Sequence, residues 1–207
     1  MDIFTTIIDL IAPRRPSQVI VDTITADTVV DLIQIQHIQH TTCLLPYHHL
    51  TVQSLITENK FHHSLTARTL LAHALSNWLA KHLPRTSIWL VPIPLSPTRE
   101  SARGYNQVQI ITELVARQHQ QSQTVPLLIR TRDTTPQTTL GRTERLQNMG
   151  DAFSLAPDSG QWLRTPPEVI IVVDDVLTTG ATMAAARATL VTHLPPTTTL
   201  RALAIAH

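Results

Sequence analysis

Asp174 and Asp175 are adjacent carboxylates, and two residues separate them from Thr178-Thr179-Gly180-Ala181-Thr182. Ionised carboxylates only accept hydrogen bonds, so the pair suits the hydroxyls of a sugar or the water shell of Mg2+. The five residues beyond offer hydroxyl donors and a glycine whose backbone can turn sharply and approach an anion. A helix starting near Thr182 would aim unpaired backbone N–H groups and its positive dipole end at the same place. The Ala-rich run Ala184 to Ala188 has the propensity for that helix. Acids, hydroxyls, glycine and helix start, in that order, describe a cradle for a phosphorylated sugar.

Such a cradle must be held by something rigid. Val169 to Val173 are five β-branched aliphatics in a row, as expected of a strand buried on both faces of a parallel sheet. Ligands of open α/β sheets bind just outside the carboxyl ends of the strands, which is where the acids would emerge. A P-loop is excluded, since no Gly-x-x-x-x-Gly-Lys occurs in the chain. A receiver-type signalling domain also places acids at strand ends, but the Thr-Thr-Gly loop disfavours it.

The stretch from Val169 to Met183 resembles the 5-phosphoribosyl-1-pyrophosphate (PRPP) signature of type I phosphoribosyltransferases: a hydrophobic strand, two acids, then Thr-Thr-Gly, a small residue and Thr. A second constellation narrows the resemblance. Ser87 to Val91 reads as a strand stopped by Pro92 and Pro94. Arg99 and Arg103 follow, and Gly104-Tyr105-Asn106-Gln107 opens a helix with Val108, Ile111, Leu114 and Val115 turned inward. VPIPL, spaced arginines and RGYNQ together resemble the ComF family of competence-associated phosphoribosyltransferase-like proteins. Upstream, Tyr47 and Val52 to Phe61, ending in Lys60-Phe61, are similar to that family's lead-in to its first long helix. Downstream, Arg130, Thr131, Gln137, Leu140, Arg142, Arg145, Asn148 and Gly150 to Phe153 follow its pattern in outline. The similarity covers roughly Tyr47 to the C-terminus, several motifs in the right order.

The resemblance implies a type I phosphoribosyltransferase fold: α/β, with a central parallel sheet of about five strands flanked by helices and a small N-terminal extension or hood. It divides the chain into an extension over residues 1–45 and a phosphoribosyltransferase domain over residues 46–207. It also implies roles. Thr178, Thr179, Gly180, Ala181 and Thr182 would hold the 5-phosphate of PRPP. Asp174 and Asp175 would be the catalytic pair, on the ribose hydroxyls and the developing cation, with Mg2+ held mostly through water. Lys60, Arg99 and Arg103 would face the pyrophosphate, and a lid carrying Gln137, Arg142 and Arg145 would close overhead. The expected partners are PRPP and an unidentified acceptor, base or amine, with the DNA-uptake machinery and a homodimer as further expectations. The alternative is a PRPP-sensing or DNA-uptake accessory protein that keeps the fold without turnover.

One departure stands at the start. ComF proteins commonly begin with a cysteine-rich zinc module after a short helix, but here Arg14-Arg15-Pro16-Ser17 occupies the place of the cysteines. The one cysteine, Cys43, precludes a disulfide within the chain or a cysteine zinc site. Six histidines (His37, His40, His48, His49, His62 and His63) crowd the same region, but neighbours in a pair point in different directions, which argues against a metal cluster.

The remaining elements follow from patterning. Ile3, Phe4, Ile7, Ile8 and Ile11 recur at helical spacing until Pro13. Val19 to Ile24 and Val29 to Ile38 are rich in β-branched residues and suggest a strand pair, a metal-free remnant of the lost module. Ser64 to Leu83 reads as a long amphipathic helix with Ser64 as its cap and Leu65, Leu70, Leu71, Ala74, Leu75, Trp78 and Leu79 on its inner face. Val125 to Ile129 is expected as a strand, Arg130 to Asp151 as the lid, Phe153 and Leu155 as the return to the sheet, and Thr198 to Ile205 as the closing strand.

The bulk properties are compatible with one α/β domain and a modest extension. Of 207 residues, 43% are hydrophobic but only 4% aromatic, so Leu, Ile and Val must fill the core. A formal net charge of +1 argues against holding DNA by bulk electrostatics. No apolar run approaches the length of a membrane span, so no membrane insertion is expected. The first residues, MDIFTTIIDLIAP, make a poor signal peptide, and a cytoplasmic location is the expectation.

Overall fold

The structure, a computed structural model, describes residues 14–131 and 152–207. The expected helix over Ile3 to Ile11 and the lid residues Gln137, Arg142 and Arg145 lie outside the described residues.

Val169–Val176 forms β7, the strand around which the rest is arranged. It pairs in parallel with Ile88–Pro92 (β3) on one side and Thr199–Ala206 (β8) on the other, with Val169 opposite both Ile88 and Thr199. Ser122–Thr124 (β4) extends the sheet beyond β3, and Thr41–Leu45 (β2) extends it beyond β8, both in parallel. Gln36–Ile38 (β1) adds an antiparallel edge to β2, so the sheet has six strands in the order β1-β2-β8-β7-β3-β4. The expected set of about five parallel strands is present, with that antiparallel edge in addition.

The uninterrupted apolar run of β7 exists because both faces are covered. Val169, Ile171 and Val173 point to one core, with residues of Leu50–Phe61 (α3), Leu65–His82 (α4) and Gln107–Gln118 (α6). Ile170 and Val172 point to the opposite core, shared with Met183, Ala185, Ala186 and Leu190 of Ala181–Val191 (α8). Alternation along one strand therefore serves two cores, and burying each such side chain contributes about 1.5–3 kcal/mol.

α4 begins at its expected cap, where Ser64 Oγ accepts from the Ala67 amide at 3.2 Å. Leu65, expected on the inner face, is exposed, because it lies in the first turn ahead of the packed stretch. Between β3 and α6 runs the short helix α5, Pro97–Arg103, ended by Gly104 with φ at 75°. Asn106 then caps α6 by accepting from the amides of Val108 and Gln109, while its own Nδ2 donates to the Ile93 carbonyl at 2.9 Å. That last bond ties the start of α6 to the end of β3.

Three expectations are corrected. Val19 to Ile24 and Val29 to Ile38 are not a strand pair. Pro16–Thr23 (α1) and Ala26–Asp31 (α2) are helices, and only Gln36–Ile38 is a strand. Pro16 occupies the first turn of α1 and Thr25 caps α2, while Val21 and Val29 are buried in the core shared with α3 and α4. Packing and end signals outweigh the β preference of Val and Ile. The expected strand at Val125 to Ile129 is displaced. Pro126 supplies no amide for a ladder, and pairing falls either side of it, in β4 and in Leu128–Arg130 (β5). Phe153–Leu155 (β6) does not rejoin the main sheet but pairs with β5 as a separate antiparallel hairpin. A short helix, Ser159–Trp162 (α7), leads back to β7.

Candidate functional site

The chain leaves β3 toward α6 on one face of the sheet and leaves β7 toward α8 on the other. Neighbouring parallel strands whose connections diverge in this way open a crevice at their carboxyl ends. Both sequence constellations lie there.

β7 runs through Asp174 and Asp175 to Val176, so the acids belong to the last residues of the strand rather than to the loop after it. Their side chains point to opposite faces. Asp175 faces the core of α3 and α6 and is 4% exposed. Lys60 Nζ, at the end of α3, lies 3.0 Å from its Oδ1, and Gln107 Nε2 donates to its Oδ2 at 2.8 Å. Both oxygens of this buried carboxylate are thus engaged, one by a cation and one by an amide. The Oε1 of Gln107 is buried with no hydrogen-bond partner among the described residues.

Asp174 is half-buried and accepts from the Asp175 amide at 2.8 Å. Burial pushes its carboxyl up to about 7, and the charge of Asp175 adds to the effect; Lys60 and Arg130 oppose it. A carboxyl poised near neutrality can bind a sugar hydroxyl as either acceptor or donor.

Beyond the acids, Thr178 and Thr179 are exposed and Gly180 is buried with φ at 75°, a left-handed turn suited to glycine. Gly180 brings no side-chain cap to α8, and among the described residues the only side-chain bond to its first amides is a long one, 3.5 Å from the Ala181 amide to Thr179 Oγ1, so these amides can take another acceptor. The side chain of Gln39 lies against Gly180, in the space that a Cβ would need. Gln39 and His40, both with positive φ, form the turn between β1 and β2. Thr182 is half-buried in the first turn of α8.

Of the residues expected on the pyrophosphate side, Lys60 is drawn onto Asp175. Arg103 lies over the ring of Phe61, 5.2 Å from its centroid, at the same end of α3. Arg99, one turn earlier on α5, is exposed and forms no ion pair among the described residues. Acid pair, Lys60 and glycine loop therefore share one edge of the sheet, with Arg103 beside them.

Sequence reasoning missed three contributors. Gln107 was legible only as part of RGYNQ, and its role depends on a strand 68 residues away. Gln39 carries no local signal. Glu58 is a buried acid on α3 held by Arg15 and Ser17 at the start of α1.

The site could accept Mg2+ through Asp174, a hard oxygen ligand at the strand end, whereas Asp175 would have to give up Lys60 or Gln107. Among the described residues no three His, Cys, Asp or Glu side chains converge as a metal site. None of the described helices is long and apolar enough to cross a membrane.

Fold and site define an α/β protein with a mostly parallel sheet and with two acids and a glycine turn at its carboxyl edge. No family model matches the chain. It is 29% identical over 134 residues to Competence protein F of Haemophilus influenzae, covering 65% of this chain and 57% of that protein. It is 30% identical over 132 residues to Competence protein ComFC of Streptococcus pneumoniae, covering 64% and 53%. The chain is thus similar to two competence proteins of the ComF kind, and the matches span little more than half the length of these curated relatives.

Proposed function

We propose that this chain adopts a type I phosphoribosyltransferase fold, binds PRPP in the crevice after β7, and transfers its phosphoribosyl group to a base or amine with release of pyrophosphate. The observation that carries the reading is the juxtaposition of an uncapped helix N-terminus behind Gly180 with the Asp174–Asp175 pair on the same strand-to-helix connection. The amides of Gly180 to Thr182 and the hydroxyls of Thr178 and Thr179 suit the 5-phosphate. Asp174, half-buried, suits the ribose hydroxyls. Asp175 orients Lys60 and is itself fixed by Gln107.

In the reaction the bond from the ribose anomeric carbon to pyrophosphate oxygen breaks, and its electron pair leaves with pyrophosphate. The acceptor nitrogen supplies the pair for the new C–N bond and loses its proton to solvent. Departure runs ahead of attack, so the sugar becomes cationic and the leaving group more anionic. The chain's part is positioning and electrostatics. Asp174 faces the developing cation, while Lys60, Arg99 and Arg103 are the basic groups on the leaving-group side. Mg2+, when bound through Asp174 and water, would neutralise oxygens of the pyrophosphate.

The names of the two relatives favour a second reading, a PRPP-binding accessory of DNA uptake that turns over little. A pyrophosphate-release screen across nucleobases and simple amines separates the two. Release with one acceptor, abolished by Asp174→Asn with Asp175→Asn, supports transfer. PRPP binding without release from any acceptor supports the accessory.

A further inference from the structure

The last turn of α3 is gripped at three consecutive residues by three distant parts of the chain. Glu58, 1% exposed, takes a bidentate pair from Arg15, Nε to Oε1 at 3.0 Å and a terminal nitrogen to Oε2 at 2.8 Å. Ser17 Oγ adds a 2.6 Å bond to Oε1. Asn59, fully buried, accepts the Tyr105 hydroxyl on its carbonyl at 2.7 Å and Arg68 Nε on its side chain at 3.3 Å. Lys60 holds Asp175. Only 1.5 Å of helix axis separates one residue from the next, so a shift at Glu58 is a shift at Lys60.

Each grip resists a different motion. A bidentate guanidinium–carboxylate pair fixes direction as well as distance. Breaking it leaves a buried charge that the helix end must move to hydrate. The Glu58 carbonyl also closes α3 by accepting from the His62 and Ser64 amides, so that movement would open the turn carrying Lys60.

We propose that Arg15 and Ser17 are positioning residues: by clamping Glu58 they hold Lys60 in register with Asp175, so the start of α1 sets the geometry of the crevice from outside it. The consequence for PRPP rests on the function proposed above; the consequence for Lys60 does not.

The chain has two lysines, Lys60 and exposed Lys81, so side-chain ammonium NMR offers one reporter and one control. In the full chain the Lys60 signal is expected to be protected from exchange. It is lost in folded Arg15→Ala, retained in Arg15→Lys and weakened in Ser17→Ala, the milder variant that serves if Arg15→Ala does not fold. A clamp that merely stabilises would lower the melting temperature and leave the signal of the folded protein unchanged, and that result overturns the proposal. In parallel, Arg15→Ala is expected to weaken Mg2+–PRPP binding about tenfold, and to have no further effect once Lys60→Met is present. An equal loss in both backgrounds overturns the proposal. Absence of PRPP binding by the unaltered protein would refute the proposed function while the ammonium signals still judge the clamp.

Discussion

Two adjacent aspartates at the end of β7 sit in opposite electrostatic circumstances. Asp175 has a lysine on one oxygen and an amide on the other. Asp174 is half-buried, and burial first and the neighbouring charge of Asp175 second push its carboxyl up to about 7. The sign of the stability effect follows. Between the ordinary value near 3.8 and about 7, the folded protein binds a proton at Asp174 that the unfolded chain does not. Its contribution to stability therefore falls as pH rises through that window. Asp174→Asn is expected to stabilise the protein at pH 8 by on the order of 2 kcal/mol, with the gain vanishing by pH 4. Urea denaturation at the two pH values measures it, and an equal effect at both would contradict burial of a charge as the cause. Groups kept charged at a cost to stability belong to function more often than to folding.

At the scale of elements, loop and clamp each depend on one feature. Gly180 takes a left-handed turn and leaves room for Gln39. Gly180→Ala is expected to cost roughly 1–2 kcal/mol from the backbone alone. It also displaces Gln39, so ligand binding should fall by more than stability does. Equal urea midpoints for the two proteins would contradict the turn described. Glu58 is held below the usual carboxylate range, chiefly by Arg15 and also by Ser17. A depressed value in the folded state means stability that is present above the ordinary value near 4.5 and lost as pH falls through the lowered one. Glu58→Gln should therefore lower the melting temperature at pH 7 and differ little from the unaltered protein near pH 2. A constant difference across that range would point to shape rather than charge.

The whole molecule explains which parts could be read in advance. β3, α4, α6, β7 and β8 were legible because each carries an apolar pattern that its own burial requires. The acids and glycine loop were legible because their spacing is set within one strand-to-helix connection. The N-terminal helices were not, since Val19 to Val21 and Val29 to Val30 have strand-like composition and the deciding contacts come from α3 and α4. Gln107, Gln39 and the Arg15–Glu58 pair were invisible for a related reason. Each acts on a residue tens of positions or more away, brought near by the sheet order for Gln107 and Gln39 and by the packing of α1 on α3 for Arg15 and Glu58. In the proposed function, the crevice where β3 and β7 send their helices to opposite faces gives these residues one task, the binding of PRPP.

Titration calorimetry with PRPP and Mg2+ tests that task most directly, comparing the unaltered chain with Asp174→Asn combined with Asp175→Asn. Saturable one-to-one binding by the first, lost in the second while its fold persists by circular dichroism, is the result expected. Undetectable binding by the unaltered chain, or equal binding by both, would contradict the assignment of this crevice to a phosphorylated pentose.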